Sequence, residues 1–304
     1  MRARTLQEAI EMQNGTDYGL TAGIHSLNTD EIKYWLDRVQ AGNLYVNRGI
    51  TGAIVRRQPF GGWKLSSVGA TAKAGGPNYL YSFGSLSPEN VERGQAKQHD
   101  GLPADKTLHL TKDQLIDLHA TADHLLEGEE FDRVQRAIYN ADRAAASEFD
   151  VMNDPSALES ERNILRYVPT DSFIRAEGDW SDAELLMVMG YACATGEFVE
   201  NEASGPSKVR VAPGQSDPDA TVPALVVVST DRLVGEEIQA WGSRYGFVFQ
   251  VEDAAGNAQA LQADKASNEV RVRGVGVSRE QIQERVGGLI EVAVWDGPVT
   301  EAAR

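Results

Sequence analysis

Apolar positions recur along this chain with more than one period, and the changes of period divide it. Near the N-terminus the spacing is helical. Thr5-x-x-Glu8 has the form of a capping box, Leu6, Ala9, Ile10 and Gln13 continue the segment, and Gly15 can end it. Ile32, Trp35, Leu36 and Val39 fall at i, i+3, i+4 and i+7, which predicts a second helix from about Asn28 or Thr29, closed by Gly42. Between the two lies the run Tyr18–Ser26, whose Gly19 and Gly23 imply close backbone approach, and Leu44–Val46 is a short strand candidate. No strand here is long enough to found a sheet, so residues 1–84 lack the pattern of an independent domain.

Residues 85–107 are polar, weakly patterned and read as a linker. Residues 108–304 begin with two amphipathic segments. Leu115, Leu118, Ala122 and Leu125 follow the capping signal Thr111-x-x-Gln114; Phe131, Val134, Ile138, Ala141 and Ala145 follow a break at Gly128. A helical hairpin is expected. Short β-branched runs come next at Ile164–Val168, Phe173–Arg175, Val209–Ala212, Ala224–Val228, Phe247–Val251, Val270–Arg273 and Ile290–Val294. Helix candidates lie at Leu185–Ala194 and Ser278–Val286, and this alternation predicts an α/β layer with a substantially parallel sheet.

Composition narrows the function classes. Of 304 residues, 41% are hydrophobic and 24% charged, as in soluble globular proteins. No apolar run approaches the roughly 18 residues of a membrane span, and the N-terminus has no signal-peptide core. The single cysteine, Cys193, excludes an intrachain disulfide and fits a reducing, cytoplasmic setting. A net charge of −16 argues against general binding to nucleic acid or anionic membranes.

Against that acidic background, Gly42–Leu80 stands apart. It is rich in glycine and carries Arg48, Arg56, Arg57, Lys64 and Lys73, with no Asp or Glu between Asp37 and Glu89. Two causes fit: backbone amides in a positive field gripping an anionic small molecule, or an irregular connection whose arginines pair with acidic residues elsewhere. Other candidate chemistry is thin. His25, His99, His109, His119 and His124 have no metal-ligand spacing, so no metal site is expected. Cys193 sits in an apolar helix candidate and reads as a small buried hydrophobe. Gly274-Val-Gly276 lies between a strand and a helix, but Arg279 occupies the third glycine position of a dinucleotide fingerprint, and two glycines equally make a turn. The carboxylate pairs Glu129–Glu130 and Glu236–Glu237 read as solvated helix faces.

The Tyr18–Ser26 run, Gly42-Asn-Leu-Tyr-Val-Asn-Arg48, Gly52-Ala-Ile-Val-Arg-Arg-Gln-Pro-Phe-Gly-Gly62 and Ala74-Gly-Gly-Pro-Asn-Tyr79 occur in one order. Together they resemble the end of the aldehyde dehydrogenase catalytic domain, in its L-glutamate γ-semialdehyde (1-pyrroline-5-carboxylate) dehydrogenase branch. Asp154-Pro-Ser156 and Glu161-x-Asn163-Ile-Leu-Arg166-Tyr-x-Pro169 resemble the additional domain of bifunctional proline utilization A proteins. The resemblance implies a fold: the terminal part of an aldehyde dehydrogenase catalytic domain over 1–84, then a helical hairpin and a degenerate Rossmann-like α/β domain over 108–304. It implies an activity, the NAD-dependent oxidation of L-glutamate γ-semialdehyde to L-glutamate in proline degradation, with FAD only where a proline dehydrogenase is attached.

By the same resemblance, Gly52 and Ala53 anchor the substrate's α-carboxylate through backbone amides, and Phe60 packs on its aliphatic body. The family's catalytic cysteine, general-base glutamate and NAD-binding domain are not matched in this sequence. It therefore reads as a C-terminal fragment, inactive alone and binding no cofactor by itself, completed by an upstream segment or a homo-oligomer. The alternative is a non-catalytic oligomerisation or interaction module, whose helix face at Trp35 and Leu36 is left exposed.

Overall fold

The first helix begins where its cap dictates. Thr5 is extended and its hydroxyl accepts the Glu8 amide, so α1 covers Leu6–Asn14 and stops at Gly15. Glu8 reaches back to the Arg4 amide rather than to Thr5. A computed structural model describes residues 1–54, 57–67, 73–84, 112–149, 151–167, 172–195, 199–200, 208–209, 226–230, 232–263, 270–288 and 292–297. The expected linker at 85–107 lies outside the described residues.

Asn28 caps α2, Thr29–Leu36, which ends well before Gly42 because the chain leaves the helix at Asp37. Val39 is buried beyond the helix end, so the apolar spacing outlasted the helix. The strands β1 (Tyr18–Gly19), β2 (Thr21–Ile24), β3 (Asn43–Val46) and β4 (Trp63–Lys64) form two small pairs, β1 with β4 antiparallel and β2 with β3 parallel. A Cβ on Gly19 would meet the Gln40 carbonyl at 2.4 Å, which is the close approach its type suggests. Ile10, Ala22, Trp35, Val39 and Ala41 make a local core. The exposed helix face expected at Trp35 is not found: Trp35 is buried and its indole donates to Gln13 Oε1 at 3.0 Å, with Leu36 packed against the same core.

Farther along, α3 (Lys112–Leu125) and α4 (Glu129–Ala144) are joined by three residues and bury Leu118, Ala122, Val134, Ala137, Ile138 and Ala141. Five parallel strands follow: β5 (Ser172–Ala176), β8 (Val226–Thr230), β9 (Phe247–Val251), β10 (Val270–Val275) and β11 (Val292–Trp295), in the order β11-β10-β5-β8-β9. A separate antiparallel pair joins β6 (Val199–Glu200) to β7 (Lys208–Val209), and the remainder of the Val209–Ala212 candidate lies outside the described residues. The connecting helices are α5 (Asp182–Thr195), α6 (Glu236–Arg244), α7 (Ala254–Ala263) and α8 (Arg279–Arg285). The mixed α/β character expected from the pattern is thus the one observed.

Alternation along β5 separates two cores. Ile174 and Ala176 face α3–α6, whereas Phe173 packs against the cluster under α7 and α8. The Ile164–Val168 candidate does not form a ladder among its described residues. Leu165 makes one isolated bridge to Asn153, because side chains rather than a neighbouring strand hold this segment.

Candidate functional site

Strand β3 carries the segment that the sequence singles out. Tyr45 is buried and its hydroxyl lies 3.5 Å from the Gly52 carbonyl, tying the loop that follows β3 back to it. Gly52 is exposed with φ +86°, a conformation that glycine alone adopts cheaply. Neither the Gly52 nor the Ala53 amide meets a protein acceptor among the described residues, whereas the next amide, that of Ile54, donates to Gln58 Oε1 at 3.1 Å. The amides of Arg48, Gly49, Ile50 and Thr51 likewise meet none among them. Phe60 is half-buried and its backbone pairs with Ala74 at 3.0 and 2.8 Å.

The cations of the stretch are otherwise engaged. Arg48 donates to Glu161 Oε2 at 3.0 Å and Arg57 lies 3.9 Å from Glu161 Oε1. The Lys64 ammonium holds the Asn14 and Thr16 carbonyls, and burial holds its pKa below the ordinary lysine value. Lys73 holds the carbonyls of Gly42 and Gly61. Arg56 lies outside the described residues. Of the two causes that fitted this composition, pairing with an acid elsewhere holds for Arg48 and Arg57, both on Glu161, whereas Lys64 and Lys73 are held by backbone carbonyls.

Glu161 belongs to an arm, residues 151–167, that docks on the N-terminal segment. Asp154 Oδ1 accepts from the Ser156 hydroxyl at 2.7 Å and from the Ser156 and Ala157 amides, and Oδ2 accepts the Asn163 amide. These bonds, led by the Ser156 hydroxyl, hold the Asp154 carboxyl below the usual range. The Asn163 side chain donates to Ser156 Oγ (2.9 Å) and Glu161 Oε1 (3.2 Å) and accepts from Gln58 Nε2 at 2.7 Å. Arg166 donates to Asp37 and the Leu36 carbonyl. A continuous hydrogen-bonded path thus runs from Asp154 through Asn163 and Gln58 to the Ile54 amide. Sequence reading missed this role of Asn163 and Glu161, because nothing local marks a partner some hundred residues away.

Other candidates resolve differently. Cys193 is 1% exposed in the core, and desolvation pushes its thiol up to about 12, so it is no nucleophile. His124 pairs with Glu237 at 2.8 Å, and His119 is half-buried with its pKa lowered by desolvation. Among the described residues no group of His, Cys, Asp and Glu could hold a metal ion.

The turn at Gly274 and Gly276 is closely packed against its neighbour. In a parallel sheet of this order the binding crevice lies where strand order reverses, between the carboxyl ends of β5 and β10. Here the two turns touch: a Cβ on Gly276 (φ +72°) would lie 2.2 Å from the Glu177 carbonyl and 3.0 Å from that of Asp179. Glu177 is clamped by Arg175 at 3.0 Å and by both terminal nitrogens of Arg285 at 2.6 Å. The Glu177 carboxylate, at the start of the turn leading to α5, is thus held between two arginines.

Comparison with known proteins agrees with the sequence motifs. The aldehyde dehydrogenase family model matches residues 1–85. The 1-pyrroline-5-carboxylate dehydrogenases of Bacillus thuringiensis (strain Al Hakam) and Bacillus mycoides (strain KBAB4) are each 48% identical over 79 residues, covering 26% of this chain and 15% of theirs. The structure of proline utilization A (PutA) from Corynebacterium freiburgense matches over 100% of this chain and 23% of its own, with 28% identity and a TM-score of 0.57. The chain therefore spans less than a quarter of the length of each of these relatives. No helix among the described residues is long and apolar enough to cross a membrane. Residues 1–85 are thus similar to aldehyde dehydrogenases, 1-pyrroline-5-carboxylate dehydrogenases among them, within a chain similar along its whole length to part of a proline utilization A protein.

Proposed function

We propose that residues 1–84 supply the substrate-carboxylate wall of an NAD-dependent dehydrogenase that oxidises L-glutamate γ-semialdehyde to L-glutamate. Residues 108–304 then form a helical hairpin and a degenerate Rossmann-like α/β unit, joined to that wall by 85–107. The observation that carries this reading is the pair of open amides at Gly52 and Ala53, set in sequence 48% identical to relatives named for 1-pyrroline-5-carboxylate oxidation. Two adjacent N–H groups suit one carboxylate, and an aromatic ring at Phe60 suits the short aliphatic stem between carboxylate and aldehyde. NAD, held by other residues than these, supplies the hydride acceptor; FAD enters only where a proline dehydrogenase is attached.

The chain does not turn over unaided on this reading, because its single cysteine is buried and protonated. A polypeptide bringing a reactive thiol and an NAD site completes it. The test uses the purified 304-residue chain in two measurements. NAD reduction with L-glutamate γ-semialdehyde is expected to be absent, and sustained turnover overturns the claim of incompleteness. Titration with L-glutamate is expected to shift the Gly52 and Ala53 amide resonances, and their silence overturns the anchor.

A second reading, a non-catalytic oligomerisation module, no longer rests on Trp35. It is favoured instead by Leu27, Leu80 and Phe83, which are 97%, 78% and 71% exposed. A monomer by light scattering that binds no hydrophobic dye would remove it.

A further inference from the structure

We infer that Asn43 and Lys73 are a pair of positioning residues that set Phe60 relative to strand β3, an inference that rests on the anchor reading above. The Phe60–Ala74 pairing is an isolated bridge of two hydrogen bonds, too little to hold a loop residue by itself. Asn43, the first residue of β3, brackets it. Its Nδ2 donates to the Pro59 carbonyl at 3.0 Å, and its Oδ1 accepts the Gly61 amide at 3.2 Å, one residue to either side of Phe60. Lys73, next to Ala74, closes the arrangement from behind. Its ammonium donates to the Gly42 carbonyl, to the Gly61 carbonyl at 2.9 Å and to Asn43 Oδ1 at 3.4 Å.

An ammonium is suited to this place, because it offers three donors and a charge to three converging oxygens and has no lone pair to repel them. The approach is so close that a Cβ on Gly42 would lie 1.7 Å from the Gly61 carbonyl. The result is a common reference. Gly52 is tied to β3 through Tyr45, and Phe60 is tied to the same strand through Asn43 and Lys73. The spacing between carboxylate anchor and aromatic ring, and so the length of amino-acid aldehyde accepted, is set by β3.

The test uses the full chain with isotope labelling and two variants. Lys73→Met keeps the stem and removes the ammonium; Asn43→Asp keeps the acceptor and removes the donor to Pro59. Lys73→Met should speed amide exchange at Phe60 and Ala74 by at least about tenfold and abolish the L-glutamate-induced shift at Phe60. The shifts at Gly52 and Ala53 should persist, and exchange in the β2–β3 ladder should be unchanged. A purely structural role would not separate these responses.

If Lys73→Met fails to fold, judged by loss of Trp35 burial in fluorescence, Asn43→Asp decides: faster exchange at Phe60 supports the pair, and unchanged exchange overturns it. Unchanged exchange at Phe60 in a folded Lys73→Met chain, with L-glutamate shifts intact at all three positions, overturns the pair alone. Silence of the wild-type chain toward L-glutamate overturns the anchor reading and the substrate role of the pair with it.

Discussion

Replacing Asn163 with leucine tests whether the 151–167 arm holds the candidate anchor loop in place. Leucine shares asparagine's branching, though it is bulkier, and makes none of its three side-chain bonds, to Gln58 (2.7 Å), Ser156 (2.9 Å) and Glu161 (3.2 Å). Asn163 is only 8% exposed, so water replaces those bonds poorly. At about 1 kcal/mol net per bond the direct loss is about 3 kcal/mol, and partners left without a bond add to it. Glu161 keeps Arg48, and Gln58 is only half-buried, so relaxation returns part of the cost. We expect about 2–3 kcal/mol, confined to the contact between arm and loop. Hydrogen exchange measures this locally: the amides of Ile54, Asn153 and Leu165 should exchange about 30- to 150-fold faster, while those of β5 and β10 keep their protection. A Gln58→Leu change should reproduce the effect, and the double variant should add little to either. Unchanged protection at Ile54, or equal loss throughout β5 and β10, would refute the proposed coupling.

Three further outcomes follow from buried or partly buried groups. Glu177→Gln leaves the fully buried Arg175 guanidinium without its counter-charge and should cost about 3–5 kcal/mol in urea unfolding. Hydrogen bonds from Arg285, then Arg175, hold the Glu177 carboxyl below its ordinary 4.5. Its stabilisation is therefore complete above that unfolded value and lost as pH falls through the depressed folded one, and the variant should show a flatter acid limb of stability. Cys193, with its thiol pushed up to about 12, should resist a disulfide reagent at pH ~8 in the native chain and react fully in guanidinium; rapid native reaction would place the thiol outside the core.

Much of the fold could be read from local chemistry. Thr5 and Ser278 cap helices through their own hydroxyls, and the apolar stripe of α4 buries at Val134, Ile138 and Ala141 as its spacing requires. The β-branched runs became parallel strands wherever a neighbour could pair along the full run, as at Phe173, Phe247 and Val270. Ile164–Leu165 had the same composition but no such neighbour among the described residues, and α2 ended before its apolar periodicity did. A periodic pattern records which residues want burial and not which backbone delivers it.

By itself, then, the sequence determined the short-range elements, the isolation of Cys193 in an apolar run and the motifs of Gly42–Leu80, since each rests on side chains within a turn or two of one another. Only the tertiary structure decided what the cations of that stretch do and whether Gly276 opens a crevice or fills one. Arg48 meets Glu161, and Gly276 meets the Glu177 carbonyl, across about a hundred residues of chain. A charge or a glycine has no local preference for its partner; the packing of the sheet and the docking of the arm bring that partner within reach. The same packing brought Arg48 and Arg57 to Glu161 and set Lys64 and Lys73 on backbone carbonyls.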